Sequence, residues 1–241
     1  MIKKVTDKIN LSGVSSPLLP LIYCDFIYNS CDSDGVYFLY DSNDEPVAVF
    51  SVKNGCATFV KIKGADYSEV SIFFDFYGVT EVLSDYQFDA SFKPVPLLET
   101  ESRVVGNARV ECLNKASKMS EYLGVFNLLN DTEGDFAPWY NTFSKKINAS
   151  VSCGVYKTIE NYVVSTATAT AIFGNNAVIS GVFTDPVHRG KGYASECVNG
   201  VINELFKMNV RQIFLWCDAD KIPFYEKLGF SLNGEIYIRR V

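Results

Sequence analysis

The sequence predicts an α/β fold in which a mixed, mostly antiparallel sheet is flanked by helices and accompanied by a smaller α/β N-terminal domain. Three observations predict it. Short apolar segments rich in Val, Ile, Phe and Tyr are separated by turn residues, and amphipathic segments with helical spacing lie between them. A strand hairpin, a helix and a further strand follow one another once in each half of the 241 residues. We therefore expect two related halves, the first shorter and degenerate; chance similarity of two αβ segments is the alternative.

The first half is predicted from a hairpin signal and a helical repeat. Two strands are joined by Lys53-Asn54-Gly55, and Asn-Gly between apolar runs is typical of a tight hairpin turn. The apolar residues Val70, Phe73, Phe74 and Tyr77 then recur at helical spacing before Gly78. In order, the predicted elements are strands 36–41, 46–52 and 57–62, a helix 66–78 and a strand 79–83.

The second half shows the same signals on a larger scale. The turn Gly174-Asn175-Asn176 separates two long β-rich runs, and Asp185-Pro186 ends the second run. The segment that begins at residue 193 places its apolar residues on one helical face. In order, the predicted elements are a strand 108–113, helices 115–129 and 136–148, strands 152–158, 162–173 and 177–184, a helix 193–208, a strand 212–217, a helix 222–229 and a strand 235–240.

The segment between the halves predicts a domain boundary. Residues 91–102 carry two prolines and an acidic cluster. Proline lacks a backbone donor and restricts the residue before it, so we expect an extended connector rather than a strand here. The resulting division is an N-terminal domain over residues 1–95, a linker over 96–106 and a C-terminal domain over 107–241.

The composition excludes several classes of protein. The net charge is −6 and no basic stripe is present, so we expect no nucleic-acid partner. Seven cysteines without a Cys-x-x-Cys pair indicate a reducing compartment, and a single histidine excludes a multi-histidine metal site. No secretory signal and no apolar run of membrane-spanning length is present. We therefore expect a cytoplasmic protein with no metal and no membrane association.

The run Arg189-Gly190-Lys191-Gly192-Tyr193-Ala194 is the most informative motif, because it joins a predicted strand to a predicted helix. A glycine-rich turn before a helix N-terminus presents unpaired N–H groups and the positive end of the helix dipole, and pyrophosphate suits such a site. The glycines let the backbone approach a ligand without an intervening Cβ. The spacing fits neither the P-loop nor the dinucleotide fingerprint.

Two motifs together resemble those of a known superfamily. Arg189, Gly192 and Ala194 fit the pattern Arg-x-x-Gly-x-Ala, and residues 224–230 read Phe-Tyr-Glu-Lys-Leu-Gly-Phe. In this order and spacing they resemble the GNAT superfamily of acetyl-CoA-dependent N-acetyltransferases, specifically over residues 176–232 and more loosely back to about residue 107. The resemblance implies a GNAT sheet, a tandem arrangement of two such halves, and acetyl-CoA as the co-substrate.

The resemblance also implies which residues contact the cofactor. The backbone of three residues at the end of strand 177–184 would pair with the pantetheine amides, and the glycine turn would hold the pyrophosphate. At position 218 many relatives carry an asparagine that touches pantetheine, and an aspartate cannot donate that hydrogen bond. The cofactor-binding candidates are Val182, Phe183, Thr184, Arg189, Gly190, Lys191, Gly192, Tyr193, Ala194, Ser195 and Asp218.

Tyr225 is the candidate catalytic residue. In this family a tyrosine at this position often donates a proton to the departing CoA thiolate, and a phenol can do so because its pKa lies above that of a thiol. A packing role for a half-buried tyrosine is the alternative. The general base stays open, because nothing ranks Glu160, Asp185 and Asp135, which could each act through water.

The function predicted from this resemblance is transfer of acetyl from acetyl-CoA to a primary amine by direct attack, with both substrates bound together. The acceptor is a small-molecule or peptide amine of unknown identity. The alternative is a non-catalytic module that binds acyl-CoA as a sensor or scaffold, and a longer acyl group is also open. The N-terminal half is expected to bind no CoA, and to shape the acceptor side or supply a homodimer surface.

Overall fold

The computed structural model describes residues 1–28, 34–102, 109–129 and 135–241. Within these residues the chain forms strands and α-helices that alternate along the sequence. They are β1 (Ile2–Lys4), α1 (Leu19–Ile27), β2 (Gly35–Tyr40), β3 (Pro46–Lys53), β4 (Cys56–Lys61), α2 (Ser68–Phe76), β5 (Glu81–Ser84), β6 (Lys93–Thr100), β7 (Glu111–Leu113), α3 (Met119–Leu129), α4 (Phe136–Asn148), β8 (Cys153–Ile159), β9 (Tyr162–Phe173), β10 (Asn176–Thr184), α5 (Tyr193–Lys207), β11 (Gln212–Trp216), α6 (Ile222–Glu226) and β12 (Ser231–Arg240).

These elements belong to two compact units that do not follow chain order. The first comprises Met1–Leu97, Trp216–Ile222 and Leu232–Val241, and the second comprises Leu98–Leu215 and Pro223–Ser231. The C-terminal strand β12 is therefore almost wholly part of the first unit. The predicted division into domains at residues 1–95 and 107–241 stays a prediction, because a compact unit is not the same as a domain that folds alone.

The first unit contains the strand order β1-β2-β3-β4-β5-β12. Of the strand pairs described within it, β4–β5 is parallel and the others are antiparallel. Its core is aromatic. Phe50 and Phe59 are fully buried, and Phe50 contacts Phe74 edge-on with ring centroids 5.4 Å apart. Such pairs add to the hydrophobic stabilisation that burial of large rings provides. The continuous buried runs of β3 and β4 thus serve a core of this unit's own.

The second unit contains the strand order β11-β10-β9-β8-β7, and β10 and β11 are its parallel pair among the described strands. α5 packs on β8, β9 and β10. Its buried side chains include Cys197, Val201 and Leu205, which recur at helical spacing as the sequence predicted. A second cluster, centred on Tyr122 and Phe143, lies between α3, α4 and β8.

Most predicted elements are confirmed to within a few residues, as are the mixed, mostly antiparallel sheet and its flanking helices. Three features differ. The expected connector over 91–102 contains β6, the helix predicted to end at residue 229 ends at Glu226, and β1 and α1 were not predicted. Residue 108 of the strand 108–113 and residues 103–106 of the predicted linker lie outside the described residues.

The proline spacing explains how β6 forms despite the prediction. Pro94 and Pro96 are two residues apart, so their missing N–H groups face the same edge of the strand. The carbonyl of Pro96 still accepts a hydrogen bond from the N–H of Cys217, at 3.3 Å. Alternate prolines thus weaken one edge of a strand and leave the donors of the other edge intact.

Candidate functional site

The candidate site begins where β10 parts from β11. Among the described residues the two strands pair in parallel over three positions, from Asn176 opposite Gln212 to Val178 opposite Phe214. β10 continues to Thr184 and stays paired with β9 on its other edge. From Ile179 to Thr184, the β11 edge of β10 therefore has no registered strand partner within the described chain. Such an edge can accept an extended ligand as an added strand.

A bulge in β10 bends the strand within this region. Ser180 lies opposite Thr168 and Phe183 opposite Thr166, so β10 has one residue more than β9 between the two pairs. Gly181 occupies the bulge with φ +58°, and a Cβ there would lie 2.7 Å from the Thr168 hydroxyl. Both the backbone conformation and the space therefore require glycine. A glycine inside a strand pattern is the sequence signal that could have indicated this bulge.

Side chains satisfy the carbonyls at the end of β10. The Thr168 hydroxyl donates to the Ser180 carbonyl at 3.0 Å, and the Ser165 hydroxyl donates to the Phe183 carbonyl at 3.0 Å. Ser165 is fully buried, and its oxygen also lies 2.8 Å from the Thr184 hydroxyl. These contacts fix the predicted pantetheine-binding backbone of residues 182–184. The sequence analysis did not predict this positioning role of Ser165.

Arg189 is anchored on the same strand end. Its Nε donates to the Thr184 carbonyl at 3.1 Å, and its guanidinium carbon lies 5.6 Å from the ring centroid of Phe183. The side chain is exposed, and the Nε bond uses one of its five donors. Arg189 thereby has a defined position at the turn, which is what a phosphate-binding cation requires.

The turn between β10 and α5 is open on its glycine face. Gly190 has φ +75° and Gly192 has φ +83°, and a Cβ added to either would meet no described heavy atom within 4 Å. Before them, the Asp185 carboxylate accepts from the N–H of Val187 at 3.0 Å and caps a short turn over Pro186–His188. Hydrogen bonds within the loop thus define its conformation, while its glycines face free space. A ligand phosphate could therefore approach the glycine backbone closely.

The N-terminus of α5 is suited to an anion. Gly192 is the N-cap and provides no side-chain cap, so the first-turn N–H groups of Tyr193, Ala194 and Ser195 point outward as at any helix start. The one acidic residue of that turn, Glu196, is paired with Lys157 at 2.7 Å. This pair offsets a negative charge that would otherwise oppose an anion. Lys191 is exposed beside the turn.

His188 lies in the short turn before Arg189. The residue is only partly exposed, and its Nδ1 is buried without a hydrogen-bond partner among the described atoms. The nearest acidic oxygen, on Asp185, lies 4.0 Å away. The backbone of the short turn places the ring inward, because the His188 N–H donates to the Asp185 carbonyl at 2.8 Å.

Tyr225 lies in the second unit, in the short helix α6. Its ring is half-buried and packs edge-on against Phe224 and Phe230, with centroids 4.9 Å and 5.8 Å away. Its carbonyl accepts from the N–H groups of Leu228 and Phe230, which closes the turn after the helix. The aromatic residues of the 224–230 motif therefore hold the tyrosine ring.

Asp218 belongs to the first unit, unlike the other candidates. It is exposed, lies two residues after the end of β11, and its carbonyl accepts from the N–H of Lys221 at 2.9 Å. Asp220, two residues further on, forms an ion pair with Lys221. The predicted pantetheine contact of Asp218 stays a prediction.

Two of the three candidate bases already have structural roles. The carboxylate of Asp135 accepts from the N–H of Ala137 at 3.1 Å and caps α4, and that of Asp185 caps the turn before Arg189. Glu160 lies in the β8–β9 turn with φ +49°. The structure ranks none of them as a base.

The corresponding position of the first unit is closed. β4 and β5 pair in parallel from Cys56–Glu81 to Phe59–Ser84, and the Asp85 carboxylate then accepts from the N–H of Lys61 at 2.8 Å. Burial raises the pKa of Asp85. At the start of α2 the Asp66 carboxylate accepts from the N–H of Ser68 at 2.9 Å. At the matching place this half therefore has strands that stay paired and a carboxylate beside the start of its helix.

Among the described residues, no His, Cys, Asp and Glu side chains form a group of three or more that could hold a metal ion. None of the described helices has the length and apolarity to cross a membrane.

The family comparison identifies the part of the chain that carries this site. The model of the Acetyltransferase (GNAT) family matches residues 119–230. Residues 119–230 form a GNAT domain. The domain includes β10, the glycine turn, α5 and Tyr225. The predicted family resemblance is thereby confirmed for this segment.

Curated relatives match the chain over a shorter stretch. GCN5-related N-acetyltransferase 2, chloroplastic, of Arabidopsis thaliana is 30% identical over 76 residues, which are 32% of this chain and 30% of that protein. Histone acetyltransferase TAP1 of Glycine max is 30% identical over 73 residues, 30% of this chain and 32% of that protein. The chain thus spans about a third of the length of these relatives.

Solved structures share the fold. A GCN5-related N-acetyltransferase from Sphaerobacter thermophilus has a TM-score of 0.59 at 10% identity and covers 94% of both chains. A tandem GNAT protein from the clavulanic acid biosynthesis pathway has a TM-score of 0.57 at 8% identity, over 88% of this chain and 84% of that one. At these identities the likeness concerns the fold alone, and it extends well beyond the GNAT domain at residues 119–230.

Proposed function

We propose that the protein is an N-acetyltransferase that uses acetyl-CoA and a primary amine bound together. The observation that carries this proposal is the free edge of β10, which runs into an open glycine turn and an uncapped helix N-terminus. An extended chain with a diphosphate at one end fits this combination of a strand edge and an anion site. The match of residues 119–230 to the GNAT family supports the same ligand.

Each candidate residue has a proposed task. The backbone of Val182, Phe183 and Thr184 would bind the pantetheine amides, held in place by Ser165 and Arg189. The N–H groups of residues 190–195 would bind the pyrophosphate, with the guanidinium of Arg189 beside it. Lys191 would contribute its backbone N–H more than its ammonium group. Asp218 would lie near the pantetheine arm.

The chemistry proposed for Tyr225 is donation of a proton from its hydroxyl to the departing sulfur. When bound, acetyl-CoA supplies an activated thioester that an amine can attack directly. The phenol would stabilise the negative charge that appears as the carbon–sulfur bond breaks. The aromatic packing by Phe224 and Phe230 keeps the ring in one place for this task.

Direct attack is favoured over an acetylated cysteine intermediate. Burial raises the pKa of the Cys197 thiol in α5 to about 11, and burial also raises the pKa of Cys217 at the end of β11. A raised pKa lowers the fraction of thiolate, which is the nucleophilic form, so neither of these two thiols is favoured as an acetylated intermediate. Direct attack by the amine agrees with this.

The first unit is proposed to bind no CoA. Its equivalent strand gap is closed by β4–β5 pairing and by Asp85, and Asp66 occupies its helix start. A carboxylate at that position would repel a phosphate. The proposed roles of this unit are to shape the acceptor side or to provide a homodimer surface. A cytoplasmic location stays a prediction, since one relative is named as chloroplastic.

Thiol release tests the activity. The full chain is mixed with acetyl-CoA and a panel of primary amines, and free CoA thiol is measured with a chromogenic disulfide. We expect amine-dependent release for at least one class of acceptor, with formation of the N-acetyl product confirmed by mass spectrometry. Saturable CoA binding without release for any amine would instead support an acyl-CoA sensor or scaffold.

A further inference from the structure

A groove of about 510 Å³ lies on the first unit, at the end of β11 and beside β6 and β12. Its size falls within the range of small-ligand sites. Its lining combines two cations, one carboxylate and an apolar floor. Six of its lining residues are Lys93, Arg240, Asp218, Trp216, Val95 and Ile238.

The two cations of the groove are lightly engaged. The Lys93 ammonium donates to the carbonyl of Ala90 at 3.1 Å, and Arg240 lies 3.5 Å from the Glu81 carboxylate with its side chain 73% exposed. An exposed ion pair of this kind contributes little stability. A ligand carboxylate could therefore share the guanidinium and the ammonium at small cost, and the guanidinium suits the geometry of a carboxylate.

The opposite charge and the apolar floor complete the pattern. Asp218 is the acidic residue of the lining, and an ammonium or amine would bind near it. Trp216, Val95 and Ile238 offer an apolar surface for the body of a ligand. A molecule that matches all three features carries an anionic group, an amine and an apolar part.

We propose that this groove binds an amine that also carries a carboxylate, such as an amino acid or a short peptide. Lys93 and Arg240 would bind the carboxylate, and Asp218 would hold the amine. This ligand site consists of residues of the first unit and adds to the proposed acetyltransferase function without depending on it.

Binding without catalysis tests the groove. The chain has two tryptophans, so a Trp139→Phe background leaves Trp216 as the sole indole reporter. The protein is titrated with two pairs of ligands, L-phenylalanine with phenethylamine and L-lysine with cadaverine, while the Trp216 fluorescence is recorded. The second member of each pair is the first without its carboxylate. Because the decarboxylated partner lacks charge-assisted bonds to the cations, we expect it to bind at least about 10-fold more weakly. If the background variant unfolds, the Trp216 indole N–H resonance of the unaltered chain gives the same titration.

Variants assign the discrimination to the two cations. Lys93→Ala and Arg240→Ala should each reduce the difference in affinity between an amino acid and its decarboxylated amine. Lys63→Ala is the control, because Lys63 forms an ion pair with Asp41 outside the groove, and it should leave that difference unchanged. Equal binding of both partners, an unchanged preference in both variants, or equally strong competition by inorganic phosphate would overturn the proposal. No CoA is present in these titrations. Carboxylate-dependent binding would therefore support the groove whether or not the protein releases thiol from acetyl-CoA.

Discussion

Replacing Tyr225 by phenylalanine is expected to lower kcat for acetyl transfer about 100-fold, the scale of a lost general acid. The substitution keeps the ring that packs against Phe224 and Phe230 and removes only the hydroxyl. The affinity for acetyl-CoA should therefore stay unchanged. The measurement is steady-state thiol release across pH, together with calorimetric titration of CoA.

A matched control exists on β9. Tyr162 is 75% exposed in the same unit, and Tyr162→Phe also removes a single phenolic hydroxyl. This variant should retain the kcat of the unaltered chain. If Tyr225→Phe matches that control at every pH, Tyr225 is a packing residue and has no part in proton transfer.

Replacing Gly192 by alanine is expected to weaken CoA binding about 10- to 100-fold, the loss of one charge-assisted hydrogen bond to the pyrophosphate. The added Cβ faces free space in the described chain, so a loss of affinity would come from contact with the ligand. Alanine is the suitable change, because a β-branched residue at φ +83° would strain the turn much more.

The variant Gly174→Ala is the control that distinguishes a loss of ligand contact from backbone strain. Gly174 lies in the β9–β10 turn with φ +60°, and a Cβ there also meets no described atom within 4 Å. Gly174→Ala and Gly192→Ala should thus lower Tm by similar amounts, since both force a side chain into the left-handed region. Equal CoA affinity in the two variants would remove the glycine turn from the proposed site.

Local signals predicted most of the fold. Asn54-Gly55 between apolar runs fixed the β3–β4 hairpin, and the apolar face of residues 193–207 predicted α5, because turn chemistry and helical spacing are properties of neighbouring residues. The glycine turn could be predicted for the same reason. Its φ values and open space agree with the sequence interpretation.

Long-range strand pairing and side-chain hydrogen bonds were not predicted from the sequence. β12 pairs with β5, for example Arg239 opposite Val82, although more than a hundred residues separate them along the chain. No local pattern encodes that partner. The hydrogen bond from the Ser165 hydroxyl to the Phe183 carbonyl depends on the β9–β10 register around the bulge, which a sequence reading does not provide.

The central claim is that one acetyl-CoA site exists per chain, in the second unit at β10 and the glycine turn. Calorimetric titration of the full chain with CoA tests it most directly. We predict a stoichiometry of one CoA per chain, because the matching position of the first unit is closed by Asp85 and Asp66. Two CoA molecules per chain, or saturable binding that Gly192→Ala leaves untouched, would contradict the account.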